Sequence, residues 1–516
     1  MTESRTVNSL RNMFAAWGGQ AIYAIGQFVV RAAMISQLPQ VFVGFESIFS
    51  SVLTIISLAD LGFGSAIVFA LYKPIAENNK EAIKSLMRLF KRVYITIGVV
   101  IIALGAILTP NIRAILGADC PDIPYIQAYF FCFVLNTGVS YFFSYRGSLL
   151  YAHQKSYIVY IITYSFQIVM CIAQVTVLLL TQNYLIFLIC MVCSTLFQNI
   201  VIAVVSGKMF PYLKEKDVQP IDKVVLKDIK QNIIGLFMHR IAGVCSTPVS
   251  NLIITNVVGL TITSLYGNYL LIVNALTNVL SKAFDAMIAS IGNLSVKESK
   301  ERQNEVFKTT FFINSFLYVV ISTGFICSVN CFIELLAGDG WCFGNVTVFL
   351  IVYLFYVKGM RSACSSFTSA YGLYWKTKWK AVLEAIFLPV FALILAFPLG
   401  IDGVLLGCMI SSLVISTVYE GWAVCRFALE SSLRKYIAQF AIYALQALVV
   451  IVATFALTEL IPLHSILGFI VKGAIGVVIS SAVWFLLYRK TREWEECAGI
   501  LRSLSGKLCG KFKNKK

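Results

Sequence analysis

The stretch FVGFESIFSSVLTIISLADLGFGSAIVFALY, residues 42–72, followed directly by KPIAENNKEAIKSLMRLFKRVY, residues 73–94, decides how this chain is read. Its first part is nearly all apolar and is long enough to cross a hydrocarbon core of about 30 Å at about 1.5 Å per helical residue. A lone acid, Asp60, sits toward its inner third, ahead of Leu61-Gly62-Phe63-Gly64. The second part has the pattern of an amphipathic, basic helix. Ile75, Ile83, Leu86, Met87 and Phe90 recur at helical spacing, and Lys73, Lys80, Lys84, Arg88, Lys91 and Arg92 crowd the other face. The expectation is a membrane span that runs into a basic helix lying on an anionic leaflet.

The rest of the chain has the same character. Of its 516 residues, 59% are hydrophobic and only 13% charged, about half the charge of a soluble domain. Such a chain cannot hide its apolar surface from water, so a polytopic all-α membrane protein is expected. The net charge of +17 would suggest nucleic acid in a soluble protein. Here the cations lie in short loops and in the tail, the positive-inside pattern, and no nucleic-acid partner is expected. Residues 1–11 are polar, and no small-residue cleavage site follows the first apolar run, so no cleaved signal peptide is expected. The 14 cysteines lie mostly within apolar runs without paired CxxC spacing or accompanying histidines, which favours buried thiols over a metal site. Cys331 and Cys342 share one outer loop and could pair in an oxidising compartment.

Hydropathy predicts about fourteen spans: 12–36, 43–72, 93–116, 124–146, 156–180, 184–206, 232–257, 264–291, 309–330, 345–371, 380–399, 402–425, 436–459 and 465–488. Odd-numbered loops carry almost no Lys or Arg, with Arg113 the exception, while even-numbered loops and the tail are basic. Both termini are therefore expected in the cytoplasm. No loop is large enough for a soluble catalytic domain. Shifting the chain by 220 residues places Lys80-Glu81 on Lys300-Glu301. The expected organisation is a six-helix bundle at 1–206, a cytoplasmic linker at 207–231, a second six-helix bundle at 232–425, two further helices at 426–488 and a basic tail at 489–516, with the bundles related as a parallel repeat.

Charges inside spans cost a few kcal/mol or more and usually face a cavity or a partner. Five cations stand out: Arg31, Arg240, Lys282, Lys358 and Arg361. Lys358 and Arg361 are three apart and would share one helical face. The acids are Asp60, Asp285, Glu384 and Glu420. Simpler readings stand beside these: snorkelling for Arg31, Lys282 and Lys472, mutual neutralisation of Lys282 and Asp285, and a kink at Asp60. The cationic excess, drawn from both halves, fits a water-filled cavity between the bundles that favours an anionic substrate such as a diphosphate or acidic sugar. No Walker A, HExxH, GxSxG or paired-carboxylate signature supports nucleotide-driven transport or hydrolysis, and an enzyme is not expected.

The Asp-Leu-Gly-x-Gly turn at residues 60–64, Leu71-Tyr72-Lys73-Pro74, the basic helix ending in Tyr94, and Arg31 ahead of LPQVFVGFESIFSS resemble the N-terminal region of bacterial oligosaccharide flippases for O-antigen and capsule, the Wzx-type transporters of the MOP superfamily. The resemblance covers about residues 10–100. It implies a MATE-like fold of two six-helix bundles around a V-shaped cavity plus two C-terminal helices. It also implies transfer of undecaprenyl-diphosphate-linked oligosaccharide to the periplasmic leaflet of the bacterial inner membrane by alternating access. No cofactor is implied beyond Na+ or H+ as a coupling ion. The implied partners are the lipid-linked oligosaccharide, membrane lipids, and the polymerase and chain-length machinery. In this reading Arg31, Arg240, Lys282, Lys358 and Arg361 contact substrate, and Asp60, Asp285, Glu384 or Glu420 carries a coupling ion or closes a gate. The alternatives are a peptidoglycan-precursor or multidrug exporter of the same superfamily, or a membrane polysaccharide polymerase.

Overall fold

The computed structural model describes residues 5–60, 63–117, 122–153, 155–215, 241, 243–244, 246–461 and 465–499. Every regular element among them is helical. The chain divides into two compact units, Met1–Gly267 and Asn268–Lys516, each described here by itself. Most of the expected linker, and all of residues 216–240, lie outside the described residues.

The first unit contains α1 (Arg5–Gln37), α2 (Val41–Ile56), α3 (Phe63–Ala76), α4 (Lys80–Leu108), α5 (Ile112–Leu116), α6 (Ile126–Ala152), α7 (Ser156–Thr181) and α8 (Tyr184–Met209). The decisive stretch does not form one span. Helix α2 gives way to a 3-10 turn at Ser57–Asp60, and α3 resumes at Phe63. Asp60 is buried at this break, where a broken helix is tolerated because protein surrounds it.

The expectation of a basic helix lying flat on the membrane is corrected. Helix α4 is continuous from Lys80 to Leu108, so the basic segment is the first turns of the next span. Its apolar face, Ile83, Leu86, Met87 and Phe90, packs in a core with Leu71, Tyr145, Leu149 and Leu150, while Lys80, Arg88, Lys91 and Arg92 stay exposed. Burial against the neighbouring helices competes with burial in lipid for the same apolar stripe, and here protein takes it. Lys84 is buried among them and pairs with Glu81 at 2.5 Å and Glu215 at 2.7 Å. Helices α4 and α6 cross closely because Gly98 faces Gly138: a Cβ on Gly98 would lie 2.9 Å from the Gly138 carbonyl oxygen.

Helix α9 (Leu260–Lys297) carries the division between the units. The second unit continues with α10 (Lys300–Ala337), α11 (Asn345–Gly359), α12 (Ser362–Ala370), α13 (Lys378–Ser411), α14 (Val418–Ala423), α15 (Leu433–Glu459) and α16 (Ile466–Tyr488). Helices α4 and α10, matched by the 220-residue shift, both start at their Lys-Glu pair behind a capping side chain. Asn79 accepts from the Ala82 N–H, and Ser299 from the Arg302 N–H.

Ten helical stretches among the described residues are long and apolar enough to cross a membrane. One of them, Lys378–Leu429, holds two predicted spans joined at Gly400, whose φ of 59° turns the chain. The second predicted span is broken at the 3-10 turn Ser57–Asp60. Of the seventh, residues 246–253 are helical and run into a π-helical turn at Ile254–Val258, while its first part, 232–240, lies outside the described residues. The protein is a multi-pass, all-α membrane protein. Neither Cys331 nor Cys342 is in a disulfide bond, and Arg113, the exception to the loop charge bias, pairs with Asp122 at 2.5 Å.

Candidate functional site

Buried charge gathers into one group in the second unit, while Arg31, Asp60 and Lys84 are buried separately in the first. The group in the second unit begins with a helix break. Helix α11 ends at Gly359, whose position a Cβ could not share: it would lie 1.9 Å from the Tyr318 ring. The carbonyls released at the break are held by Asn314, whose Nδ2 donates to the Gly359 oxygen at 3.2 Å and the Met360 oxygen at 2.8 Å. The next residue, Arg361, stands at the junction with α12. The continuous face expected for Lys358 and Arg361 is therefore interrupted, and Lys358 is half-buried in the last turn of α11.

Arg361 makes a two-pronged contact with Glu420, Nε to Oε2 at 3.1 Å and Nη2 to Oε1 at 3.0 Å. Its Nη1 lies 3.5 Å from Glu384 and donates to the Ser412 hydroxyl at 3.4 Å. Lys380, one turn before Glu384 on α13, reaches Glu420 at 2.5 Å and Glu384 at 3.5 Å. Glu420 sits on α14, a short α-helical segment between π-helical turns at Ser412–Thr417 and Val424–Leu429. Such turns shift side-chain register and are common at functional sites. Two cations and two carboxylates thus form a compact group with no formal excess charge. All four side chains are at most 15% exposed.

In the first unit Arg31 is 8% exposed, and its Nη2 lies 3.1 Å from Glu46 on α2. Its Nη1 and the Tyr184 hydroxyl are buried without a hydrogen-bond partner among the described residues. A guanidinium nitrogen left over in a buried position is a place where water or a ligand atom would complete the geometry.

The structure thus brings together Arg361, Glu384 and Glu420. Arg31 belongs to the first unit. Lys282 and Asp285 are both exposed on α9, and Asp60 is buried at the α2–α3 break. Arg240 lies outside the described residues. Lys472, expected to snorkel, is only 4% exposed. Two participants escape the sequence reading. Lys380 reads as a loop cation beside Lys376 and Lys378, although its spacing of four from Glu384 is the signal that could have found it. Glu46 reads as the polar edge of an apolar run, and only the short hairpin 38–40 places it beside Arg31.

No family model matches the chain, and no curated protein does. Solved structures do. An inward-facing multidrug resistance MATE family transporter of the MOP superfamily superposes with a TM-score of 0.65 at 13% identity, over 84% of this chain and 99% of that one. The lipid II flippase MurJ, in an inward closed conformation, superposes with a TM-score of 0.61 at 14% identity, over 93% of this chain and 98% of that one. A MOP superfamily transporter from Pyrococcus furiosus, described as having a binding pocket of reverse polarity, gives 0.55 at 14% identity, over 83% and 98%. At these identities the likeness is one of fold, and the chain has the fold of MOP-superfamily transporters.

Proposed function

We propose that this protein is a transporter that flips lipid-linked oligosaccharide repeat units, carried on a polyprenyl diphosphate, from the cytoplasmic to the periplasmic leaflet of a bacterial inner membrane. The observation that carries this reading is the fold likeness to the lipid II flippase, which spans 93% of this chain. Both termini would be cytoplasmic by the positive-inside bias. Alternating access would move the substrate, with H+ or Na+ as the coupling ion.

Within this reading the buried charges take different roles. Arg31, with Nη1 left over beside Glu46, has a donor free to meet a diphosphate oxygen; Arg240, Lys282 and Lys358 are substrate contacts proposed from the sequence alone. Arg361 is already engaged by two carboxylates. Its role is to hold Glu384 and Glu420 together with Lys380, so that a proton or Na+ arriving at the carboxylates releases a cation and shifts the packing of α12, α13 and α14. Asp60 and Asp285 would serve as secondary gate positions. A polymerase and its chain-length machinery would take up the product.

The test is the sidedness of lipid-linked oligosaccharide in cells depleted of the protein. Accumulation on the cytoplasmic face supports flipping. Chain growth that stalls after the intermediate has reached the periplasm would refute it and favour a polymerase role. In the same assay Arg31→Gln should cause cytoplasmic accumulation with normal protein levels.

A further inference from the structure

Apart from these charges, the first unit carries a groove of about 770 Å3 on the surface formed by α4, α6 and α8. Its walls are Ile95 and Val99 of α4, Phe142 and Phe143 of α6, and Ile200 and Val204 of α8, all apolar. Three cations line it as well: Lys91, Arg146 and Lys208. Their order along the helices is consistent. Helix α4 leaves the basic end of the unit while α6 and α8 return to it, so on each helix the cation comes at that end and the apolar residues lie one to two turns deeper. On α4, Val99 lies about 12 Å deeper than Lys91, eight residue steps at about 1.5 Å each.

The lining contains no acidic residue, and none of the three cations is ion-paired among the described residues. Arg146 donates only to the Tyr145 hydroxyl, at 3.3 Å. Its guanidinium rests over Gly207, where a Cβ would stand 3.2 Å from Nη1. Val99 and Val204 are more than half exposed. An apolar face open on a membrane protein is covered by lipid in any case, and the charge at its mouth selects which lipid.

We propose that this groove is a binding site for an anionic phospholipid of the cytoplasmic leaflet, its phosphate held between Lys91, Arg146 and Lys208 and one acyl chain laid along Ile95, Val99, Phe142 and Val204. The site does not depend on the transport reading, only on the orientation that the loop charges imply. It would make the state of the first unit responsive to the anionic lipid content of the membrane.

The test is native mass spectrometry of the purified full-length chain, titrated in detergent with dioleoylphosphatidylglycerol or dioleoylphosphatidylcholine. The parent should retain phosphatidylglycerol selectively. Each cation near the surface should contribute about fivefold, so K91Q/R146Q/K208Q should lose about a hundredfold in affinity. K80Q/R88Q/R92Q, which removes three other cations from the same end, should lose far less. Ala203→Trp, which fills the groove without touching charge, should also displace the lipid. Equal losses in the two triple variants would overturn the proposal in favour of diffuse surface attraction. Unchanged binding in Ala203→Trp would overturn the acyl site. Competition by glycerol phosphate as effective as that of the lipid would show a soluble anion to be the ligand and overturn it too.

Discussion

Glu420→Gln tests whether the charge group in the second unit acts as one. The glutamine keeps the size of the side chain and removes one negative charge, leaving Arg361 and Lys380 to share Glu384, which lies 3.5 Å from each. The amide NH2 cannot accept, so at least one of the contacts that the two carboxylate oxygens make to Arg361 and Lys380 is lost, and those left become hydrogen bonds to a neutral oxygen. One uncompensated cation then remains at a site where no member is more than 15% exposed. Removing one partner from a buried ion pair costs about 3–5 kcal/mol, a large share of the about 5–15 kcal/mol that holds a typical protein folded. Adding Lys380→Met restores the balance to one cation and one anion with little change in volume, so the double variant should recover about half of the loss. The assay is unfolding in mixed micelles by titration with sodium dodecyl sulfate, followed by tryptophan fluorescence, for the parent, both single variants and the double variant. A loss below about 0.5 kcal/mol in Glu420→Gln, or a double variant whose loss equals the sum of the singles, would refute the idea of a coupled neutral group.

Three further outcomes follow from the geometry. Gly359→Ala should destabilise by about 1–3 kcal/mol, since its Cβ meets the Tyr318 ring at 1.9 Å, and shortening Tyr318 in the same chain should return part of the loss in the same micelle assay. Asn314→Ala should cost about 1–3 kcal/mol by leaving the Gly359 and Met360 carbonyls without their donor, whereas Asn304→Ala, nearer the helix start, should cost less. The segment after α16 should detach in acid. Glu496 accepts from the Thr309 hydroxyl and from Arg302 and lies 4.0 Å from Arg492, and the Thr309 hydrogen bond followed by the cations holds its carboxyl below the ordinary value of 4.5. A depressed carboxylate stabilises above that ordinary value and loses its contribution as pH falls through the lower folded value. Hydrogen exchange of residues 492–499 should therefore accelerate on acidification below about pH 4.5. Glu496→Gln should weaken the pH dependence, and Glu305→Gln added to it, which also removes the 2.6 Å pair with Arg492, should abolish it. Exchange that is flat across this range would refute the docking by charge.

The fold class was legible from composition and hydropathy because a span needs only a run of apolar residues, a property of neighbours in sequence. The loop charges imply an orientation on the same local basis. Arg361, Glu384 and Glu420 could be picked out one by one, since a charge inside an apolar run is conspicuous wherever it lies. What each charge meets was not legible. Glu420 and Arg361 are 59 positions apart, and Lys380 looks like any loop cation until helix α13 turns it inward beside Glu384. The break at Gly359 was hidden because its cause, the Tyr318 ring, comes from another helix.

The sequence by itself determined that this chain is helical, spans a membrane many times and carries its positive charge at one set of helix ends. Tertiary structure alone decided that the basic segment 80–92 opens a span rather than lying flat, and that the conspicuous cation Arg361 is neutralised. It also decided that Arg31 keeps a donor to spare. The physical reason is range. Hydrophobic length and loop charge act on each segment separately, whereas the state of a buried charge depends on which distant helix supplies its partner, and only packing brings that helix near.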